Sequence, residues 1–196
     1  MHASAGGGRL HGLVPQPLPR KPDFVLTDTS GHLFSFTKRT RNKLTYLYFG
    51  YTHCPNVCLS TFFDLAAALR TQTRSVRRRV EVVFVTVDPG RDTPRVMRAW
   101  LDHFNHTFVG LTGSPRSIRA AERSVGVPPA SIQKRKEAYS LAHSSLLFAF
   151  SPDNLSHVVY VQGFKTPDYA DDMPVLLRYG KCSRLAGNRA RKSCPA

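Results

Sequence analysis

Leu44-Thr45-Tyr46-Leu47-Tyr48-Phe49-Gly50-Tyr51-Thr52-His53-Cys54-Pro55-Asn56-Val57-Cys58 is the stretch on which the fold turns. Its first six residues are aromatic, aliphatic or β-branched, which favours a strand, and Gly50 closes it. From Cys58 to Leu69 the apolar period changes, so that Leu59, Phe62, Phe63, Ala66 and Leu69 fall on one helical face. A strand thus passes through a turn into a helix, and two cysteines four positions apart stand at the join.

Upstream, Phe24-Val25-Leu26 and Leu33-Phe34-Ser35-Phe36 flank Asp28-Thr29-Ser30-Gly31 and read as a hairpin. Downstream, Val80 to Val87 is a nearly continuous apolar strand, as expected of a sheet covered on both faces. Thr93-Pro94 opens a helix as N-cap and first helical residue, with Val96, Met97, Trp100, Leu101 and Phe104 on its buried face. Phe108 to Leu111 is a short strand. Ser114-Pro115 opens the next helix, whose Ile118, Ala121 and Val125 face inward and which Gly126 stops. Leu146 to Phe150 and Val158 to Val161 bracket Ser151-Pro152-Asp153-Asn154 as a second hairpin. A short helix around Met173 to Tyr179 ends at Gly180. This order predicts an α/β fold, a central sheet flanked by helices with an N-terminal β-hairpin. Residues 1–22, with Gly6 to Gly8 and Pro15, Pro17, Pro19 and Pro22, read as a flexible linker. Residues 23–180 form the domain, and 181–196 a basic C-terminal tail.

Composition sets the outer limits. With 196 residues, 41% of them hydrophobic and 21% charged, the chain can bury one core and is not globally disordered. No apolar stretch approaches the ~20 residues that span a bilayer, and no charged start followed by an apolar segment marks a signal peptide. Four cysteines are too few for a disulfide scaffold. The net charge of +15 raises three partner classes: nucleic acid, anionic lipid surfaces and acidic proteins. Arg70, Arg74, Arg77, Arg78 and Arg79 run off the first long helix, and Arg184, Arg189, Arg191 and Lys192 crowd the tail. Neither cluster interleaves aromatics, and no nucleic-acid motif accompanies them, which argues against nucleic acid. A solvated face is the simpler reading. If the charge has a use, an anionic membrane or an acidic protein surface fits better.

The cysteine pair carries the chemistry. Spaced by four, Cys54 and Cys58 can lie on one helical face, the first near a helix N-terminus that stabilises thiolate. Such a pair forms a disulfide or chelates a soft metal. Inert core cysteines are the bland reading, disfavoured by polar His53 and Asn56 alongside. The spacing is not the two-residue gap of thioredoxin-type redox sites, and no second pair makes a zinc ribbon. A Cu(I) site wants a third ligand, and His143, just before the strand Ser144 to Phe150, is favoured from its place at the sheet edge. His53 is adjacent to Cys54, while His103 and His106 end a helix and His2 and His11 lie in the linker. In Val85-Thr86-Val87-Asp88-Pro89-Gly90-Arg91-Asp92-Thr93-Pro94, a turn pinned by Arg91 with Asp92 or Thr93 as helix cap explains the carboxylates without catalysis.

Together these segments resemble the Sco (SenC-type) family of copper-binding thioredoxin-like proteins. Tyr48 to Cys58 is similar to that family's cysteine signature, Val87 to Pro94 to its acidic turn, and Val109-Gly110-Leu111-Thr112-Gly113 to its next strand and turn. The resemblance covers about residues 22–180. It implies a thioredoxin-like fold and one copper, Cu(I) or Cu(II), on Cys54, Cys58 and His143. It also implies an extracytoplasmic protein, membrane-tethered at full length and soluble as this chain, that serves the copper A centre of cytochrome c oxidase. The partner is then the copper A subunit or another copper-accepting protein, met by a monomer. Leu59, Asn56 and Ala142 stand where the family commonly has proline, aspartate and aspartate, and Lys134-Arg135-Lys136 replaces acidic residues. The ligands survive all four changes, while the charge around them tunes affinity, redox potential and partner choice. The runner-up reading is a thiol–disulfide oxidoreductase cycling Cys54 and Cys58; a peroxidase fits the pair less well. Cys182 and Cys194 are expected to join in a disulfide within the tail, with no role in copper binding.

Overall fold

The computed structural model describes residues 10–134 and 139–182. The strands are β1 (Val25–Asp28), β2 (Leu33–Ser35), β3 (Leu44–Gly50), β4 (Val80–Thr86), β5 (Val109–Thr112), β6 (Ser131–Lys134), β7 (Tyr139–Ala142), β8 (Leu147–Phe150) and β9 (Ser156–Tyr160). The helices are α1 (Phe36–Arg39), α2 (Val57–Thr71), α3 (Arg74–Arg77), α4 (Pro94–Asp102), α5 (Pro115–Ser124) and α6 (Thr166–Cys182). One sheet runs in the order β2-β1-β5-β4-β3-β8-β9. Its centre, β5-β4-β3, is parallel, and the flanking pairs are antiparallel. The N-terminal hairpin adds one edge through Thr27 opposite Thr112, and the β8–β9 hairpin the other.

Period-2 alternation divides the core. Tyr46 and Tyr48 of β3, Val82 and Phe84 of β4 and Leu147 and Ala149 of β8 face one layer, with Phe62 and Leu65 of α2, Met97 and Leu101 of α4 and Met173 and Leu176 of α6. Leu47, Phe49, Val83, Val85, Phe148 and Phe150 face the other, with Phe36 of α1 and Ile118 and Ala121 of α5. The expected sheet flanked by helices is therefore present. Thr93 and Ser114 cap α4 and α5, accepting from the amides of Val96 and Ser117.

Several local expectations differ. On α2 the buried face runs through Cys58, Thr61, Phe62, Leu65, Ala66, Ala68 and Leu69, while Leu59 and Phe63 are exposed at 41% and 62%. Val96 is exposed too. β6 and β7 form a separate antiparallel ribbon in a stretch without an apolar pattern. α6 begins at Thr166, seven residues before the expected start at Met173, and Gly180 lies inside it. Its glycine is required because a Cβ there would stand 2.2 Å from the Pro152 Cβ. Residues 10–22, read as linker, run beside β9: Leu13 and Val159 exchange backbone hydrogen bonds of 2.9 and 2.8 Å, and Ser156 donates to Pro19. The tail beyond Cys182, and with it the expected Cys182–Cys194 bridge, lies outside the described residues.

Candidate metal centre

β3 delivers the first loop. It ends at Gly50, whose carbonyl accepts from Val87, and the chain turns back so that the Cys54 amide donates to Tyr51 at 3.1 Å. α2 starts at Val57, so Cys54 stands in the turn before the helix and only Cys58 lies in its first turn. The two thiols meet through this turn and not as neighbours on one helical face, as the spacing had implied. A Cβ on residue 50 would sit 3.0 Å from the Cys58 sulfur, so Gly50 is what lets that sulfur rest against the strand end.

Asp92 fixes the loop from below. Fully buried, it accepts from the Thr52 amide (3.0 Å), the Thr52 hydroxyl (2.6 Å) and the Thr86 hydroxyl (2.7 Å). It does not cap α4; Thr93 does. Asp88 pairs with Arg91 and accepts from the Tyr139 hydroxyl at 2.9 Å, and the Arg91 guanidinium lies 3.8 Å over the Tyr139 ring. This group ties the turn after β4 to β7. Neither carboxylate lies in the Cys–Cys–His cluster, in keeping with the structural reading of the turn.

His143 follows β7 directly. Its Nδ1 donates to the Ser144 carbonyl at 2.9 Å, which leaves the Nε2 lone pair directed at Cys58 Sγ, 3.9 Å away. The rings of Tyr51 and Tyr48 meet the imidazole edge to face at 5.5 and 6.1 Å, and the Tyr48 hydroxyl points at Cys58 Sγ at 3.7 Å. The donor atoms of Cys54, Cys58 and His143 all lie within 4.8 Å of one another. Trigonal bonds on the order of 2.3 Å to sulfur and 2.0 Å to nitrogen separate the donors by about 3.7 to 4.0 Å, so a soft ion fits with little movement. His53 is half-exposed, with Nδ1 3.7 Å from Asp92, and is not in the cluster.

The two thiols differ in acidity. The neighbouring Cys58 thiol, seconded by His143, pulls Cys54 down to about 4 despite its burial. Cys58, holding the proton beside that thiolate and buried, is pushed well up. Burial lowers the His143 pKa, but the contacts to Cys54 and the Ser144 carbonyl outweigh it and the net shift is upward. The centre opens into a cavity of about 550 Å³ walled by Tyr51, Pro55 and Val57 on one side and Tyr139, Leu141 and Gln162 on the other. Sequence reasoning did not single out Tyr48, Tyr51 or Tyr139 for the site. The first two were visible as aromatics flanking the cysteine turn; Tyr139 carried no signal, since β7 was not expected.

Comparison with known proteins agrees with the geometry. A family model described as SCO1/SenC matches residues 15–177. The Arabidopsis thaliana protein SCO1 homolog 1, mitochondrial, is 35% identical over 116 residues, which are 59% of this chain and 35% of that relative's length. The solution structure of apo Sco1 from Thermus thermophilus superposes with a TM-score of 0.76 at 29% identity, covering 86% of this chain and 98% of that one. Bradyrhizobium japonicum ScoI with copper bound gives 0.71 at 31% identity, covering 81% and 99%.

Proposed function

The chain belongs to the SCO1/SenC family, and within it we propose that this protein carries one copper ion on Cys54, Cys58 and His143 and hands it to a copper-accepting protein. The copper A subunit of cytochrome c oxidase is the recipient the family resemblance implies. The observation that carries the reading is the convergence of two thiol sulfurs and one oriented imidazole at the mouth of a cavity. Thiolates favour Cu(I), and the imidazole lets the same site hold Cu(II). Copper bound in the Bradyrhizobium japonicum neighbour supports the choice of metal. With the Cys58 pKa raised and that of Cys54 lowered, loading the site releases a proton from Cys58, while the already acidic Cys54 serves as the first donor. The cavity gives an incoming ligand access, so donors can be exchanged one at a time.

One observation favours a second reading. Two neighbouring sulfurs, the first of them acidic, suit a dithiol reductant, which attacks a target disulfide and resolves through the partner sulfur. Because Cys54 precedes α2, closing a Cys54–Cys58 disulfide needs no unwinding of the helix. The imidazole separates the two readings. The reduced protein should bind one equivalent of Cu(I). Cys54→Ala and Cys58→Ala should each abolish tight binding, and His143→Ala should weaken it while leaving disulfide reduction in place. Wild-type copper affinity in His143→Ala, together with rapid turnover of a disulfide substrate, would favour the reductase.

A further inference from the structure

A second cavity, of about 480 Å³, lies among Lys43, Arg74, Arg77, Arg78 and Glu81. Lys43 stands immediately before β3, Glu81 near the start of β4, and the neighbouring Asn105 and Thr107 precede β5. The cavity therefore sits at the N-terminal ends of the parallel strands, whereas the cysteine turn and Asp88 follow the C-terminal ends of β3 and β4. The length of β3, about 20 Å, separates the two poles.

The charges around this cavity are not balanced. Lys43 and Glu81 pair with each other. Arg77 donates to the carbonyls of Arg70 and Gln72 at 3.3 and 3.1 Å, which fixes it at the rim while leaving its charge uncompensated. Among the described residues, Arg74 and Arg78 make no side-chain hydrogen bond and join no ion pair. Three guanidinium groups thus border one cavity with no carboxylate left to meet them. Guanidinium forks match phosphate oxygens in pairs. No aromatic ring among the described residues lines the cavity, so they offer nothing for bases to stack on.

We propose that this cavity binds a phosphate-bearing anion, either a phospholipid headgroup or a soluble phosphate. Occupied in either way, it leaves the metal centre at the opposite pole open to a partner.

The test uses the full chain at low ionic strength with two probes: pyrophosphate by calorimetry, and sedimenting vesicles of phosphatidylglycerol in phosphatidylcholine. The variant Arg74→Gln/Arg78→Gln is compared with Arg116→Gln/Arg119→Gln, which removes the same charge from exposed positions on α5. The first pair should lose roughly tenfold or more in affinity and the second pair little, as expected for basic residues placed at an anion rather than for bulk charge. Pyrophosphate binding lost in the first pair identifies a soluble anion. Vesicle binding alone, lost in the same way, identifies a headgroup. If neither probe binds, or if both variants lose affinity equally, the proposal is overturned. Denaturant midpoints and copper stoichiometry, both expected to be unchanged, exclude misfolding as the cause.

Discussion

Gly50 controls the metal centre by having no side chain. An added Cβ would stand 2.8 Å from Tyr48 Cε1, 3.0 Å from Cys58 Sγ and 3.1 Å from Phe84 Cε2, all on buried residues. Gly50→Ala should therefore displace the Cys58 sulfur, lower Cu(I) affinity by roughly tenfold or more and cost about 1–3 kcal/mol of stability. Competition titration and urea unfolding measure the two effects, and wild-type values for both would show that the strand end can yield. Lys21 poses a different problem. Its ammonium is buried and, among the described residues, donates to the Thr40 carbonyl and Thr45 hydroxyl at 3.1 and 3.2 Å, and burial brings its pKa down to about 8. Unfolded, it keeps a proton that the native state gives up above pH 8, so stability should rise with pH from about 8 towards 10. The buried tyrosines, whose pKa values are raised, act in the opposite sense above that range. Because the acidic Cys54 also makes stability rise with pH up to about 9, Lys21→Met should lessen rather than abolish the rise seen in urea unfolding between pH 7.5 and 9.5; a slope identical to wild type would refute the assignment. At this scale the cysteines were legible because a strand, a turn and a helix start put them together locally. His143 lies 85 positions from Cys58. Its placement at a sheet edge made it the favoured third ligand, and the family resemblance strengthened that choice.

Among the elements, α6 shows why a boundary can be hidden. From the sequence a short helix is expected around Met173 to Tyr179, yet the helix begins at Thr166, and the intervening stretch to Asp172 holds three aspartates and is followed by Pro174. In the fold Pro174 lies inside the helix and cannot donate to the Ala170 carbonyl. Gln72, beyond the end of α2, supplies the missing donor: its Nε2 lies 3.0 Å from that oxygen. The start is fixed across the same interface, where Asp64 of α2 accepts from the Thr166 amide and hydroxyl at 3.1 and 2.8 Å. No periodicity within α6 could reveal an acceptor that comes from α2 and a donor that comes from the residue after it. Gln72→Ala should thus cost about 1–3 kcal/mol by leaving a part-buried carbonyl unsatisfied, while Gln72→Glu, which offers no donor, should cost at least as much. Urea midpoints decide it, and a neutral Gln72→Ala would mean that water replaces the amide. β6 and β7 escaped for a different reason: Ile132 is 65% exposed, so the ribbon has no buried face to impose a pattern. The α2 face was misjudged because Leu59 and Phe63 are apolar residues that the fold leaves in solvent.

For the whole molecule, the decisive contact is between the two ends of the described chain. Residues 10–22 were expected to be free of the domain, yet they cover β9, which would otherwise be an open sheet edge. Gly12 passes so close that a Cβ would lie 2.4 Å from Val158 Cγ2. The segment is pinned at one end by Lys21, whose amide donates to Asn154, and at the other by His11. The His11 amide and Nδ1 both reach the buried Asp172 carboxylate, at 3.0 and 2.9 Å, and that carboxylate also accepts from Tyr160 at 2.7 Å. The hydrogen bond to Asp172 raises the His11 pKa. A base whose pKa is raised on folding adds stability that is complete below its unfolded value, near 6.5, and is lost as pH rises through the folded value. His11→Ala should accordingly destabilise the protein more at pH 5.5 than at pH 8.5. The increment should be small, because the ring is partly solvent-exposed and salt screens the pair. Removing residues 1–20 should do more: the β9 backbone is uncovered, the unfolding midpoint falls at every pH, and chains begin to associate through the exposed edge at high concentration. Chemical unfolding of both variants at the two pH values, with sedimentation of the truncated chain, tests the argument. A truncated chain with the stability and monomeric behaviour of the full one would show that the segment is a linker after all.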